Sequence, residues 1–540
     1  MELIELCLVL ILAVALIGAA AKRIPIPLPL FFILGGVALS FEPHLRDLQL
    51  DPEVFFLLFI PPLLFSDGWL FPKREFLAYR YSILMLAFGL VVATVLVVGC
   101  SLHALIPEIP LAAGFALGAV ISPTDAVAVS AITERLKLPL RMTTVLSGES
   151  LINDASGLVA FKFAVLAVVT GVFFLGEALL SFVLVAGGGA LVGLAVSWLI
   201  EQSRLLLTRR GMDAPEIQVC LSLLTPFAAY LGAEYGHVSG VLAAVAAGIH
   251  SGVHDTRYMT IETRMLAWSV WRTVLFVLNG LVFLLLGLQL RGVFHGIAGY
   301  SSGQLLSYAL LVWAIVVGVR LAWIFPGSRI GLWLNRLHNP NLAAAPWRDV
   351  FIAGWAGLRG AVTLAAALSI PLMSAAAPFP GRDLLIFLAS SVIILTLVVN
   401  GLTLPLFIRW FGIQGDDINQ REERAARIAA AHAAIAELRS RLDHQDSAQD
   451  REFTMHLIEE YHRRIREVKA EESEEEKDFR VTVASERAIR LTAVAAERAE
   501  LQALRDKRRI NEQVLFIIQR ELDYLEAGLL APTQAPGPDG

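Results

Sequence analysis

The run Gly148-Glu149-Ser150-Leu151-Ile152-Asn153-Asp154, with Ser122-Pro123-Thr124-Asp125 ahead of it, sets acids inside stretches otherwise apolar enough to lie in lipid. A carboxylate at the centre of a membrane helix costs roughly 2.5–3.5 kcal/mol on insertion scales. Asp125, Glu149 and Asp154, close together in sequence, are therefore expected to carry a function. Intramembrane carboxylates handle cations and protons, so the sequence points to ion movement.

The surroundings of these runs set the class. The 540 residues are 56% hydrophobic and 17% charged, with a mean hydropathy of +0.64. That composition places residues 1–411 in the membrane class. From Asp416 onward the chain turns rich in Glu, Arg and Ala, which sets a boundary near 412 and leaves 412–540 as a polar tail. The tail holds 27 acids and 20 bases, a net of −7, and the preceding part 22 acids and 24 bases, a net of +2. Neither value suggests nucleic acid as a partner. Cys7, Cys100 and Cys220 all lie in apolar segments, so no disulfide framework is expected. Met1-Glu2-Leu3-Ile4-Glu5 lacks the basic start of a signal peptide and reads as the entry to a first spanning helix.

A helix needs about 20 residues to cross the hydrocarbon core. Thirteen candidates fit: 3–21, 26–40, 53–70, 82–106, 111–133, 142–170, 173–200, 215–233, 238–253, 268–290, 303–325, 348–372 and 383–410. The second is short and proline-rich, which keeps twelve as the alternative count. With the N-terminus outside, eighteen Lys and Arg residues fall on inward-facing ends and loops, against Arg46, Arg291 and Arg382 on outward-facing ones. That asymmetry orients the chain in a plasma (inner) membrane, multi-pass, with its tail in the cytoplasm.

The fifth and twelfth segments are both interrupted. Pro123 breaks the fifth, because proline removes a backbone donor and clashes with the previous turn. The twelfth carries Gly354-Trp355-Ala356-Gly357-Leu358-Arg359-Gly360, glycine-rich and holding a cation. Seven segments apart, they cross in opposite directions. Paired broken helices in inverted halves mark the binding site of a secondary transporter. The fold expected is thus an all-α polytopic membrane protein of inverted repeats, segments 1–6 and 8–13, with two broken crossing helices and a helical cytoplasmic tail.

Glu149 and Asn153 are four residues apart, as are Ser150 and Asp154, so each pair shares a helix face. Asp154 offers a hard anionic oxygen, and Ser150, Asn153 and the unwound backbone at Thr124 offer neutral ones, a set suited to a small monovalent cation such as Na⁺. Burial penalises the charged form of a carboxyl group. One carboxylate that holds either a proton or a cation is an exchanger if only loaded states cross. Asp125 has two readings, as a further ion ligand or as the acid that compensates a half-helix N-terminus. Glu149 and Arg359 read as a buried structural ion pair, with Arg320 in support. Lys162 reads as snorkelling outward, and Asp67 as a solvated residue at the inner end of segment 3.

Other features have plainer readings. His250 and His254 have metal-ligand spacing but no third ligand in sequence, and read as an interfacial pair, with pH sensing as the alternative. Ser239-Gly240 carries no protease signature. Residues about 420–528 alternate charge with Ala, Leu and Ile at helical spacing, with Val514, Leu515, Ile517, Ile518, Leu522 and Leu525 as a seam. The acidic run Glu471-Glu472-Ser473-Glu474-Glu475-Glu476 reads as exposed helix or linker, and residues after Pro532 as disordered.

Taken together and in this order, Ser122-Pro123-Thr124-Asp125, Gly148-Glu149-Ser150 with Asn153-Asp154, and Gly357-Leu358-Arg359-Gly360 resemble the bacterial sodium/proton exchangers of the monovalent cation:proton antiporter-1 family. The resemblance covers residues 1–411, and Ile510 to Asp523 also looks like the cytoplasmic end of bacterial members. It implies a homodimer in the lipid bilayer, a scaffold of segments within 3–70 and 215–290, and a moving core within 82–170 and 303–410. It implies that Asp154 binds the ion with Ser150 and Thr124, while Asn153 and Asp125 organise the crossing. The Asn153-Asp154 pair is the form found in the electroneutral branch, which agrees with one titrating carboxylate per cation. Na⁺/H⁺ exchange for sodium and pH homeostasis, with no cofactor and no enzymatic reaction, is the expectation. The same site fits Li⁺ or K⁺, and a cation channel or ion sensor is the alternative from another class.

Overall fold

Lipid offers no hydrogen bonds, so a spanning backbone must satisfy its own, and the apolar segments accordingly fold as helices. The computed structural model describes residues 3–21, 27–42, 52–133, 136, 138–171, 175–212, 214–297, 299–338, 340, 342–374, 377–413, 415, 418–442, 447–470, 477–507 and 509–530. Lys22, Arg23, Arg46, Arg135, Lys137, the acidic run 471–476 and the segment after Pro532 lie outside the described residues.

The chain divides into two compact units, Met1–Gly415 and Asp416–Gly540. The first begins with α1 (Leu3–Ala21), α2 (Leu28–Leu39) and α3 (Pro52–Trp69). Then come α4 (Lys73–Leu105), the half-helices α5 (Leu111–Ile121) and α6 (Ala126–Thr133), α7 (Leu140–Thr170) and α8 (Leu175–Arg209). The second half repeats the theme with α9 (Pro215–Tyr235), α10 (Gly240–Tyr258), α11 (Ile261–Gly296), α12 (Ser302–Arg336), the half-helices α13 (Trp347–Trp355) and α14 (Ala361–Leu368), and α15 (Arg382–Phe411). Each of the thirteen apolar segments falls on a helix or on a pair of half-helices, and both expected interruptions are present. Among the described residues, seven helices are long and apolar enough to cross a membrane on their own.

Several helices outrun their apolar runs. α4 starts at Lys73 rather than 82, and α12 continues to Arg336 past 325. Hydropathy marks the lipid-facing length, whereas the backbone stays helical through the polar turns beyond it. One small element has no counterpart in the hydropathy pattern. Met373–Ser374 and Ala377–Pro378 form a two-stranded antiparallel ladder between α14 and α15.

Small residues set how closely the helices pack, since lipid supplies no hydrophobic force to drive them together. On α10, Ala243, Ala244 and Ala247 are fully buried. At Gly248 a β-carbon would lie 2.2 Å from the Phe65 carbonyl oxygen of α3, so the two backbones touch.

Two π-helical turns, Met85–Leu90 in α4 and Thr396–Asn400 in α15, interrupt otherwise regular helices. Such turns release carbonyls and shift side-chain phase, and they cluster at functional sites. In α4 the released groups are taken by neighbours: Ser156 donates to the Ala87 carbonyl at 2.8 Å and the Trp323 indole to that of Met85 at 3.1 Å.

The described residues of the second unit fold as four helices with short connections, α16 (Ile418–Leu442), α17 (Ala448–Ala470), α18 (Lys477–Asp506) and α19 (Glu512–Leu530). Its core is thin: Ile435, Ile465, Val494, Leu515 and Leu522 are buried. Ion pairs add to it, Arg463 to Glu486 at 3.0 Å and Arg498 to Asp523 at 2.7 Å. Of the expected seam on α19, Leu515 and Leu522 face inward, while Val514, Ile517 and Leu525 stay exposed. A spacing of seven keeps Leu515 and Leu522 on one stripe, and the others fall beside it.

The backbone contact at Gly248 gives a test. Gly248→Ala should lower the thermal midpoint in detergent and the yield of monodisperse protein, because the new methyl must push α3 off α10. Gly187→Ala, where nothing lies within 4 Å, should leave both unchanged. Equal behaviour of the two variants would contradict the close α3–α10 packing.

Candidate ion-binding site

Breaking α5–α6 and α13–α14 at the same depth strands backbone groups that only the protein can satisfy. The two breaks satisfy each other. The Asp125 backbone N–H donates to the Leu358 carbonyl at 2.8 Å, and Thr363 Oγ1 reaches the Pro123 carbonyl at 3.5 Å. Gly360 sits where a β-carbon would lie 1.9 Å from Asp125 Oδ2, so the crossing admits no side chain there. Asp125 Oδ1 accepts the Ala128 N–H at 2.9 Å, closing the first turn of α6. This is the helix-start arrangement that favours an acid.

α7 lays its polar face against the first break. Ser150 Oγ donates to the Thr124 carbonyl at 2.6 Å, and Asn153 Nδ2 to Thr124 Oγ1 at 2.8 Å. The Thr124 N–H points to Asn153 Oδ1 at 3.4 Å, and the Ala126 N–H to Ser150 Oγ at 3.4 Å. Thr124 Oγ1 in turn faces Glu149 Oε1 at 3.4 Å. The structure thus brings Thr124, Asp125, Glu149, Ser150, Asn153 and Asp154 to one place, and all but the half-buried Asp125 are buried.

One pairing differs from the sequence reading. Glu149 is held by Arg320 of α12, not by Arg359. Both guanidinium Nη atoms engage the carboxylate, Nη1 on Oε1 and Nη2 on Oε2 at 2.9 Å. Arg320 also donates to the Gly354 carbonyl at 2.9 Å and the Ala353 carbonyl at 3.0 Å, at the end of α13. Arg359 spends its donors on backbone instead, Nε on the Ile121 carbonyl at 3.0 Å and Nη1 on that of Gly357. The physical reason is supply and demand: the last carbonyls of α5 and the unwound strand at Gly357 lack helical partners, and Arg359 is the nearest multiple donor. The π turn of α15 serves the same segment. Thr396 Oγ1 accepts the Arg359 N–H at 3.3 Å, and Asn400 Nδ2 donates to the Trp355 carbonyl at 3.1 Å.

Asp154 stands apart from this satisfied network. It is 4% exposed, and among the described residues no hydrogen bond or ion pair reaches its carboxyl group. What surrounds it electrostatically is like charge, from Asp67, Asp125 and Glu149. A carboxyl group so placed must find a proton or a cation.

Asp67 was read as solvated, and the structure corrects this. It lies in the last turn of α3, half-buried, close enough to Asp154 and Asp125 for the charges to act on one another. The sequence signal was faint: an acid after Pro61-Pro62 at the end of the apolar run Phe55 to Phe65. Lys162 does not simply snorkel. Its Nζ pairs with Glu234 Oε1 of α9 at 2.5 Å and lies 5.9 Å from the Tyr230 ring centre.

A family profile described as "Sodium/hydrogen exchanger, transmembrane" matches residues 9–410. The chain belongs to the sodium/hydrogen exchanger family. A relative in Escherichia coli K12, an uncharacterized Na⁺/H⁺ exchanger, is 39% identical across 99% of this chain and 100% of its own length. A sodium, potassium, lithium and rubidium/H⁺ antiporter of Bacillus pumilus is 38% identical over 97% of this chain and 78% of its own. Among solved structures, the sodium proton antiporter MjNhaP1 of Methanocaldococcus jannaschii at pH 8 superposes with a TM-score of 0.55 at 18% identity, covering 75% of this chain and 98% of that one. That likeness supports the fold, an all-α polytopic membrane protein. The family is one of transporters.

The Glu149–Arg320 pair makes a prediction for this exchanger. Arg320→Met should destabilise the protein by about 3–5 kcal/mol, because Glu149 is left as an unpaired buried charge. Adding Glu149→Leu should recover much of the loss. Thermal unfolding in detergent reads both, and an unchanged midpoint for Arg320→Met would speak against the pair.

Proposed function

We propose that this multi-pass transporter exchanges Na⁺ for H⁺, one for one, with Asp154 as the group that holds either ion. The observation that carries this reading is the buried, unpartnered carboxyl group of Asp154 beside the Thr124 backbone, Ser150 and Asn153. A cation there would draw on Asp154 oxygen and on neutral oxygens nearby, with Ser150, Thr124 and Asn153 holding the unwound segment in register. Oxygen ligands of low total charge suit a monovalent ion.

The stoichiometry follows from which charges are free to change. Glu149 is matched by Arg320, and Asp125 by the start of α6. Asn153 contributes no second acid. In this reading α1–α3 and α9–α11 form a scaffold, at which two copies of the chain meet in the bilayer, and α4–α7 with α12–α15 form the moving core. Asp67, on α3, then stays behind when the core moves, so the travelling site carries one proton or one monovalent cation and no net charge crosses. The N-terminus faces outward and the tail lies in the cytoplasm of the inner membrane, by the distribution of Lys and Arg.

A second reading of the cation has support of its own. The Bacillus pumilus relative is named for potassium, lithium and rubidium as well as sodium. We therefore include K⁺ as an alternative substrate of the same mechanism.

Proteoliposomes loaded with a pH dye test the whole proposal. Na⁺ should alkalinise an acid lumen at a rate independent of membrane potential, and Asp154→Asn should abolish the response while its thermal unfolding stays cooperative. A response to K⁺ alone would change the substrate, and retained exchange in Asp154→Asn would remove Asp154 from its role. Asp67→Asn should raise the cation concentration giving half-maximal rate, since it removes a negative charge facing the site; an unaltered concentration dependence would leave Asp67 a bystander.

A further inference from the structure

The end of α10 presents a pair of histidines to which the fold adds a third side chain. His250 and His254 lie one turn apart, with ring centres 4.3 Å from each other. α8 brings Glu201 alongside, its Oε2 3.7 Å from His250 Nε2. One ligand atom from each of the three lies within 4.8 Å of the other two. Ligands about 2.0–2.2 Å from a tetrahedral metal sit about 3.3 Å apart, so side-chain rotation closes the set.

The hydrogen bonds around the two rings are compatible with this. His254 Nδ1 faces the His250 carbonyl at 3.0 Å, and a carbonyl only accepts, so Nδ1 bears the proton and Nε2 keeps its lone pair. His250 Nδ1 is 3.0 Å from Ser197 Oγ, which itself lies 2.9 Å from Ser251 Oγ and 3.3 Å from the Ala247 carbonyl. When Ser197 donates to that carbonyl, His250 Nδ1–H donates to Ser197, and the Nε2 lone pair faces Glu201. Outer partners of this kind fix ring orientation in metal-ligating histidines.

We propose that Glu201, His250 and His254 bind a divalent transition metal of the zinc type. Two imidazoles and one carboxylate select Zn²⁺, Co²⁺ or Ni²⁺ over Mg²⁺ or Ca²⁺. Three protein ligands leave a fourth position open for water. A cavity of about 20 Å³ lies on the other side of Glu201, lined also by Arg204, Gln218 and Asp255. Arg204 is matched there by Asp255 at 2.6 Å, and Lys73 is the charge that opposes a cation near His250. An occupied site fastens α8 to α10, which are otherwise joined through small residues and the Arg204–Asp255 pair. The site does not depend on the transport reading, because it lies on elements that carry none of the ion-site residues.

Purified full-length chain in detergent, free of any polyhistidine tag and stripped with chelator, tests the site. Added Co²⁺ should give the visible absorption of four-coordinate cobalt at one ion per chain, displaced by Zn²⁺. Zn²⁺ should raise the thermal midpoint where Mg²⁺ does not. His254→Gln and Glu201→Gln should each lose the cobalt band and the Zn²⁺ shift, and Ser197→Ala should weaken binding about 10–100-fold. A wild-type chain with no such band, or with octahedral cobalt only, overturns the proposal, whatever the variants do. So does a Zn²⁺ shift that persists in His254→Gln or Glu201→Gln.

Discussion

Backbone left unsatisfied at membrane depth is the constraint on which this structure turns. Two helices are broken within the packed interior, and each stays broken because the other answers it. The Asp125 N–H meets the Leu358 carbonyl, and Gly360 leaves room for the contact by having no side chain. Arg359 and Arg320 then supply donors to the stranded carbonyls of both breaks, at Ile121, Ala353, Gly354 and Gly357. The carbonyl ends of half-helices concentrate partial negative charge, which favours a cation in the proposed site. The proposed site is thus a by-product of solving a hydrogen-bond problem.

The buried charges sort into fixed and free. Glu149, Arg320 and Arg359 are each committed to several bonds, and removing one partner exposes the rest. Asp154 is committed to none among the described residues. In the proposed exchange, this rigid frame of satisfied charge around one unsatisfied group lets a proton and a cation compete at a single point. If Asp154 were bound into the network as Glu149 is, ion exchange there would first require breaking it.

Much of this was legible in the sequence, and the limits have physical causes. Residues on one helix announce their neighbours through the 3.6-residue period, so Glu149, Ser150, Asn153 and Asp154 could be placed together from spacing alone. Proline and glycine announced both breaks. Spacing says nothing about which of two arginines on other helices reaches a given acid. The sequence reading pairs Glu149 with Arg359 and leaves Arg320 in support, whereas packing gives the carboxylate to Arg320. Asp67 and Glu201 escaped for a similar reason. Each sits near the end of its apolar run, where hydropathy cannot separate a group facing water from one turned toward a neighbouring helix.

The border between the proposed core and scaffold shows the same logic in reverse. Arg320–Glu149 joins core to core and is nearly excluded from water, while Arg204–Asp255 joins α8 to α10 with both groups mostly buried. Among the described residues, the ion pair that crosses from core to scaffold is Lys162–Glu234, with side chains 42% and 37% exposed. Exposed pairs contribute about 0–1 kcal/mol because water competes for both partners. The two most buried pairs lie away from that border, and the one that spans it is inexpensive to release. Motion of one body against the other, as proposed, would leave the crossing of the broken helices intact.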